Sequence, residues 1–123
     1  MGIKIAIADD STIVRQQVAY ALAQVGYDVI EAADGQEAFE RISATPNIKL
    51  LICDVNMPRM NGLELLAKLA GPTKSPPFPI VMLTTDGHPE LIAQARGLGA
   101  KGWMVKPVQP EILVATVKKL TGT

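Results

Sequence analysis

Short apolar runs alternate along this chain with longer stretches of helical period. Residues 3–8, 27–32, 49–53, 80–83 and 102–105 are brief and rich in aliphatic or β-branched side chains, and they predict five strands. After the first, Ser11 or Thr12 can cap a helix whose apolar positions Val14, Val18, Ala21, Leu22 and Val25 follow a helical period, with Gly26 placed to stop it. Asp34 can cap a second helix, with Ala38, Phe39 and Ile42 on one face, and Pro46-Asn47 marks a turn before the third strand. Residues 57–62 form a loop into a third helix with Leu63, Leu66 and Leu69, ended by Gly71-Pro72 and followed by a Pro-rich connector over 74–79.

The fourth helix, 89–98, is the least regular. Gly87, His88 and Pro89 surround its start, and Gly97, Gly99 and Gly102 crowd its end. An interior glycine costs a helix roughly 1 kcal/mol, so this segment is expected to be among the more mobile parts of the fold. Pro110 suits the first turn of a last helix whose inner positions are Leu113, Val117 and Leu120.

Strands that are apolar throughout are buried on both faces, which predicts an α/β fold with a doubly wound, five-stranded parallel sheet covered by helices. The 123 residues fit one domain, 1–123, with no repeat and no attached output domain expected. Lys plus Arg and Asp plus Glu are 12 each, so no basic footprint for nucleic acid exists. No apolar run approaches the ~20 residues of a membrane span, and no signal peptide opens the chain. The single cysteine, Cys53, cannot form an internal disulfide and reads as a small buried hydrophobe, consistent with the cytoplasm.

Polar residues stand at the ends of four of the strand runs: Asp9-Asp10, Asp54, Thr84 and Lys106. Parallel neighbours bring such ends to one sheet edge, where open α/β sheets bind ligands. Three crowded carboxylates ionise with difficulty unless a cation sits among them, and a hard ion such as Mg²⁺ suits oxygen ligands. Asp54 can serve as a nucleophile that accepts a phosphoryl group as an acyl phosphate, or as a third metal ligand. Thr84 and Lys106 offer a hydroxyl and a positive charge to phosphoryl oxygens.

Ala8-Asp9-Asp10-Ser11, Asp54-Val55-Asn56-Met57-Pro58 with Gly62, Met82-Leu83-Thr84-Thr85 and Val105-Lys106-Pro107 together resemble the receiver domain of two-component response regulators. The likeness covers essentially the whole chain and is strongest to stand-alone chemotaxis regulators of the CheY type. It implies the flavodoxin-like strand order 2-1-3-4-5, for which CheY is itself a standard example; periodicity alone does not yield that order.

The resemblance further implies that Asp54 accepts a phosphoryl group from a histidine kinase. Asp10 and Asp54 ligate Mg²⁺ (or Mn²⁺) through side chains, Asn56 through its backbone carbonyl and Asp9 through water. Thr84 and Lys106 contact the phosphoryl oxygens, and backbone N–H groups after Asp54, around Asn56, and at Thr85 complete the cradle. Asn56 and Asp86 lie beside the acceptor, where they set how fast water attacks. The Lys106–Pro107 bond is expected to be cis. Trp103 stands where the family usually has Tyr or Phe, the ring that turns inward as the threonine moves.

The surface of the fourth helix, fifth strand and fifth helix then meets a partner, with Leu91, Ala95, Lys101, Trp103 and Lys118 expected on it. Implied partners are a sensor histidine kinase or phosphotransfer protein and a target such as a flagellar motor switch component. The molecule is expected to be a cytoplasmic monomer that contacts neither nucleic acid nor membrane and catalyses only its own phosphoryl transfer and autodephosphorylation. A phosphorelay shuttle or phosphate sink is the alternative within the class. A haloacid-dehalogenase-type phosphatase would want an acid two positions after the nucleophile, where Asn56 stands. A flavodoxin-like FMN binder is disfavoured because Asp9-Asp10 would repel a bare phosphate. His88 reads as a surface residue, and Met57 and Met60 as loop packing.

Overall fold

The structure is a computed structural model and describes residues 2–73, 76–85 and 87–123. Asp86 and the start of the 74–79 connector lie outside the described residues. The elements are β1 (Lys4–Ala8), α1 (Thr12–Gln24), β2 (Asp28–Ala32), α2 (Gly35–Ala44), β3 (Ile48–Asp54), α3 (Gly62–Ala70), β4 (Ile80–Thr84), α4 (Pro89–Gly97), β5 (Gly102–Val105) and α5 (Pro110–Thr121), with a 3₁₀ turn over Gly71–Thr73. All strands are parallel, in the order β2-β1-β3-β4-β5. The order anticipated from the family resemblance is the observed one.

The pleat sorts the core into two layers, because successive strand side chains point to opposite faces. Ile5, Ile7, Leu50, Ile52, Val81 and Leu83 pack with Val18 and Leu22 of α1 and Leu113 and Val117 of α5. Ala6, Ala8, Leu51, Cys53, Ile80 and Met82 pack with Ala38 and Ile42 of α2, Leu65 and Leu66 of α3 and Ala95 of α4. The helices flanking β1 and β3 therefore leave for opposite faces, which opens a crevice beyond the carboxyl ends of those strands.

Local chemistry sets the helix ends. Ser11, of the two candidates, is the cap of α1; its Oγ accepts from Val14 N–H at 3.2 Å. Asp34 caps α2 by accepting from Glu37 N–H at 2.8 Å. Asn61 and Glu64 form a reciprocal capping box on α3. Gly26 takes φ +92°, a conformation that side chains with a Cβ rarely adopt, and ends the turn after α1.

Some apolar positions of the helical pattern lie outside the buried core. Val25 is 45% exposed, because α1 stops at Gln24 and its cap residue leaves the helical period. In α3 the innermost line runs through Gly62, Leu65, Leu66 and Ala70, whereas Leu63 and Leu69 are only partly buried. The capping box begins the helix at Gly62, and its rotation turns Leu65 inward. Leu65→Ala is therefore expected to cost roughly 2–5 kcal/mol and Leu63→Ala clearly less, read from urea denaturation midpoints.

Candidate functional site

Beyond the end of β1, Asp9 donates its N–H to the Ala32 carbonyl at 3.1 Å, which fastens it to β2. Its Oδ1 accepts from Ser11 N–H at 2.8 Å, so the cap residue of α1 is also held by it. Asp54 closes β3, and Asn56 N–H reaches its Oδ1 at 3.3 Å. Lys106 follows β5; its N–H donates to Thr84 O at 2.7 Å, and its bond to Pro107 is cis. The Lys106 ammonium lies 2.9 Å from Asp9 Oδ2 and 3.3 Å from Asp54 Oδ2. One carboxylate oxygen each from Asp9, Asp10 and Asp54 lie within 4.8 Å of one another. Four residues from three distant parts of the sequence thus share one small volume.

The turn from Asp54 into α3 is equally determined. Gly62 N–H donates to Val55 O at 2.8 Å, and Val55 N–H to Leu83 O at 3.3 Å. A Cβ on Gly62 would collide with the Asp54 carbonyl oxygen. Gly62→Ala is expected to cost about 1–3 kcal/mol by pushing the strand end aside. It should also slow any chemistry at Asp54, measured alongside unfolding.

Asp9 and Asp54 are buried, at 0% and 3% exposure, whereas Asp10 faces solvent. Burial, and then the charge of Asp9, push the Asp54 carboxyl up to about 6, against the opposing pull of Lys106 and the Asn56 N–H. Burial works to lower the Lys106 pKa, but the close contact with Asp9 and the charges of Asp54 and Asp9 outweigh it and hold the ammonium above its ordinary range. Burial raises the Cys53 thiol far out of reach of a reactive thiolate, as expected of an inert core cysteine.

These residues fit a divalent cation. Asp9 Oδ2 is buried and has no aligned hydrogen-bond donor among the described residues, despite its ion pair with Lys106. One ammonium cannot balance three carboxylates, and an all-oxygen donor set suits a hard ion such as Mg²⁺.

Thr84 is fully buried at the end of β4, and Thr85 beside it is exposed. Register pairs Met82 with Trp103, so Trp103 and Thr84 share the sheet face covered by α4. The indole is partly buried against that core layer, and its Nε1 is buried without a hydrogen-bond partner among the described residues. Met57 is buried in this layer and Met60 packs on it, as expected of loop packing.

Of the residues assigned to the partner surface, Lys101 and Lys118 are exposed and Leu91 is partly buried. Ala95 is a correction. It is 0% exposed, because α4 turns this small side chain onto the sheet, and it offers no surface. Sequence reasoning passed over Val105 and Ile112, which are 52% and 53% exposed and line a shallow depression with Trp103. Their signal was position: Ile112 falls off the Leu113–Val117 stripe. It also passed over Arg15, the single charge of α1, whose Nη1 donates to Asp9 O at 2.6 Å. An apolar groove of about 550 Å³ between α1 and α5 contains none of the acidic cluster.

The sequence matches the response regulator receiver domain family over residues 5–118. It is 37% identical over 121 residues to chemotaxis protein CheY1 of Helicobacter pylori, covering 98% of each chain. It is 36% identical to a chemotaxis protein CheY homolog of Campylobacter jejuni, covering 98% of this chain and 93% of that one. Among solved structures, chemotaxis protein CheY4 of Vibrio cholerae is 38% identical and superposes with a TM-score of 0.89 over 98% of this chain and 99% of that one. The CheX–CheY–BeF₃–Mg²⁺ complex of Borrelia burgdorferi superposes with a TM-score of 0.88 at 28% identity, covering 95% of this chain and 87% of that one.

Proposed function

This chain belongs to the response regulator receiver domain family, and from that premise we propose that it is a phosphorylation-controlled binding module whose phosphoacceptor is Asp54. The observation that carries this is the convergence of Asp9, Asp10 and Asp54 with the Lys106 ammonium at one sheet edge. Receivers bind Mg²⁺ in such an acidic pocket. Here Asp10 and Asp54 side chains and the Asn56 carbonyl would hold Mg²⁺ or Mn²⁺, with Asp9 assisting through water. When bound, the cation neutralises charge on phosphoryl oxygens.

A buried carboxylate at a strand end is oriented for in-line attack on a phosphohistidine, and its neighbours carry the product. Lys106 and the Thr84 hydroxyl meet the new oxygens with charge-assisted hydrogen bonds, and the Thr85 and Asn56 N–H groups complete the cradle. Trp103 shares the Thr84 face, so inward movement of Thr84 biases the surface around β5 and α5. A coupling of about 1–3 kcal/mol changes partner affinity roughly 5- to 150-fold.

The donor is a histidine kinase or phosphotransfer protein, and the target is in chemotaxis, such as a flagellar motor switch component. Support comes from the CheY-type relatives over nearly the full chain and from a CheY bound to CheX with beryllofluoride and Mg²⁺. The setting is the cytoplasm; among the described residues no helix is long and apolar enough to cross a membrane.

Incubation with acetyl phosphate and Mg²⁺, followed by intact-mass analysis, tests the reading. The expected result is one hydroxylamine-sensitive phosphoryl adduct per chain, lost with EDTA. Catalytic turnover of a phosphomonoester without self-labelling would overturn it in favour of a phosphatase.

A further inference from the structure

Arg15 is an anchored arginine in the first turns of α1. Its side chain is 16% exposed, and Nη1 donates to the Asp9 carbonyl at 2.6 Å, Nη2 to Thr12 Oγ1 at 3.4 Å, while Nε lies 3.5 Å from Glu31 Oε1. Glu31 immediately precedes Ala32, whose carbonyl receives the Asp9 N–H at 3.1 Å. Both ends of Asp9 are therefore tied to one corner, the N–H by β2 and the carbonyl by Arg15.

That carbonyl belongs to the peptide group that joins Asp9 to Asp10, two of the three clustered acids. The Asp9 carboxylate is held by Ser11 N–H and Lys106. The exposed Asp10 carboxylate has no hydrogen bond or ion pair to another described residue, so the backbone alone aims it. Rotation of the 9–10 peptide would swing Asp10 out of the cluster.

We propose that Arg15 is a positioning residue for Mg²⁺: by pinning the Asp9 carbonyl it presents Asp10 to the ion, while Glu31 offsets its charge. This rests on the proposed reading of the Asp9–Asp10–Asp54 cluster as a cation site. Two effects of removing Arg15 have opposite signs. Deleting a positive charge beside a cation site tightens Mg²⁺ binding if electrostatics alone matters, whereas loss of the pinned peptide weakens it. Groups that orient metal ligands from behind typically contribute 10- to 100-fold in affinity.

The test is calorimetric titration of MgCl₂ into the parent, Arg15→Met, Arg15→Lys and Glu31→Gln. Arg15→Met is expected to weaken Mg²⁺ binding on the order of 10-fold. Arg15→Lys, whose ammonium can still reach a carbonyl, should recover part of the loss. Glu31→Gln leaves the carbonyl contact but uncovers the arginine charge, and it should weaken binding less than Arg15→Met does. At saturating Mg²⁺, labelling of Arg15→Met by acetyl phosphate should return to the parent extent. Mg²⁺ binding by Arg15→Met as tight as the parent's, or tighter, overturns the proposal. If Arg15→Met does not fold, Arg15→Gln is judged by the same criterion. A parent that shows no Mg²⁺ binding removes the cluster reading itself, and the role of Arg15 with it.

Discussion

Asp54→Asn is expected to abolish the phosphoryl adduct formed with acetyl phosphate while making the metal-free protein more stable. An amide does not attack phosphorus as a carboxylate does, so the label should fall to background in intact-mass spectra. The stability gain follows from the site's electrostatics. Burial and Asp9 hold the Asp54 carboxyl at about 6 in the folded chain, against about 3.9 when unfolded. Between those values the folded state binds more protons than the unfolded state, so stability falls as pH rises through this window and stays lower above it.

Asparagine has no such titration. At pH 7 in EDTA the variant should be more stable by about 1–2 kcal/mol, less than the full shift implies because solvent on the Asp10 side screens the site. The gap should close near pH 4. Mg²⁺ should also close it, since an ion that binds the folded parent stabilises it by mass action. Urea denaturation from pH 4 to pH 8, with and without Mg²⁺, reads these outcomes. Equal labelling of parent and variant would remove Asp54 as the acceptor.

Lys106→Met is expected to act in the opposite sense on stability. Its ammonium is the cation paired with Asp9 and Asp54 at 2.9 and 3.3 Å. Removing one partner of a buried pair leaves the other charge uncompensated, at a cost of roughly 3–5 kcal/mol, and the lower end applies where the site meets solvent. The folded Lys106 pKa is raised, so its stabilisation is fully present below the unfolded value of about 10.4 and is lost only as pH climbs through the higher folded value.

Relative to the parent, the variant should therefore show a steady deficit at mildly alkaline pH. The deficit should narrow as pH falls toward about 6, because Asp54 without the pull of Lys106 takes up its proton at higher pH than in the parent, and it should narrow in Mg²⁺. Labelling should slow on the order of a hundredfold, as when one preorganised donor to a developing charge is lost. A variant as stable as the parent in EDTA, with no response to Mg²⁺, would show that Lys106 is not the counter-charge of this cluster.

Much of this was legible in the chain because it is written locally. The positions of the strands, the caps at Ser11 and Asp34, the stop at Gly26 and the inert Cys53 depend on near neighbours, and the structure has them in place. Four motifs at the ends of β1, β3, β4 and β5 named Asp9, Asp10, Asp54, Thr84 and Lys106 before any geometry. What failed were assignments that depend on how an element is rotated against others. Leu65, not singled out in the chain, is an inner leucine of α3, Val25 lay outside its helix, and Ala95 proved buried. A period says that a helix has an apolar face; the sheet it lands on decides which residues that face contains.

The sequence by itself determined the alternation of strand and helix, the parallel sheet and the inventory of site chemistry, since period, capping and residue type act over a few positions. Tertiary structure alone decided that Asp9 should be sealed from water while Asp10 is not, and that Lys106 should stand between two carboxylates. It also decided that Arg15, unremarked in the chain, should grip the peptide joining the two acids. The reason is distance. Burial and charge pairing depend on atoms brought together from β1, β3, β5 and α1, and no stretch of sequence contains them all.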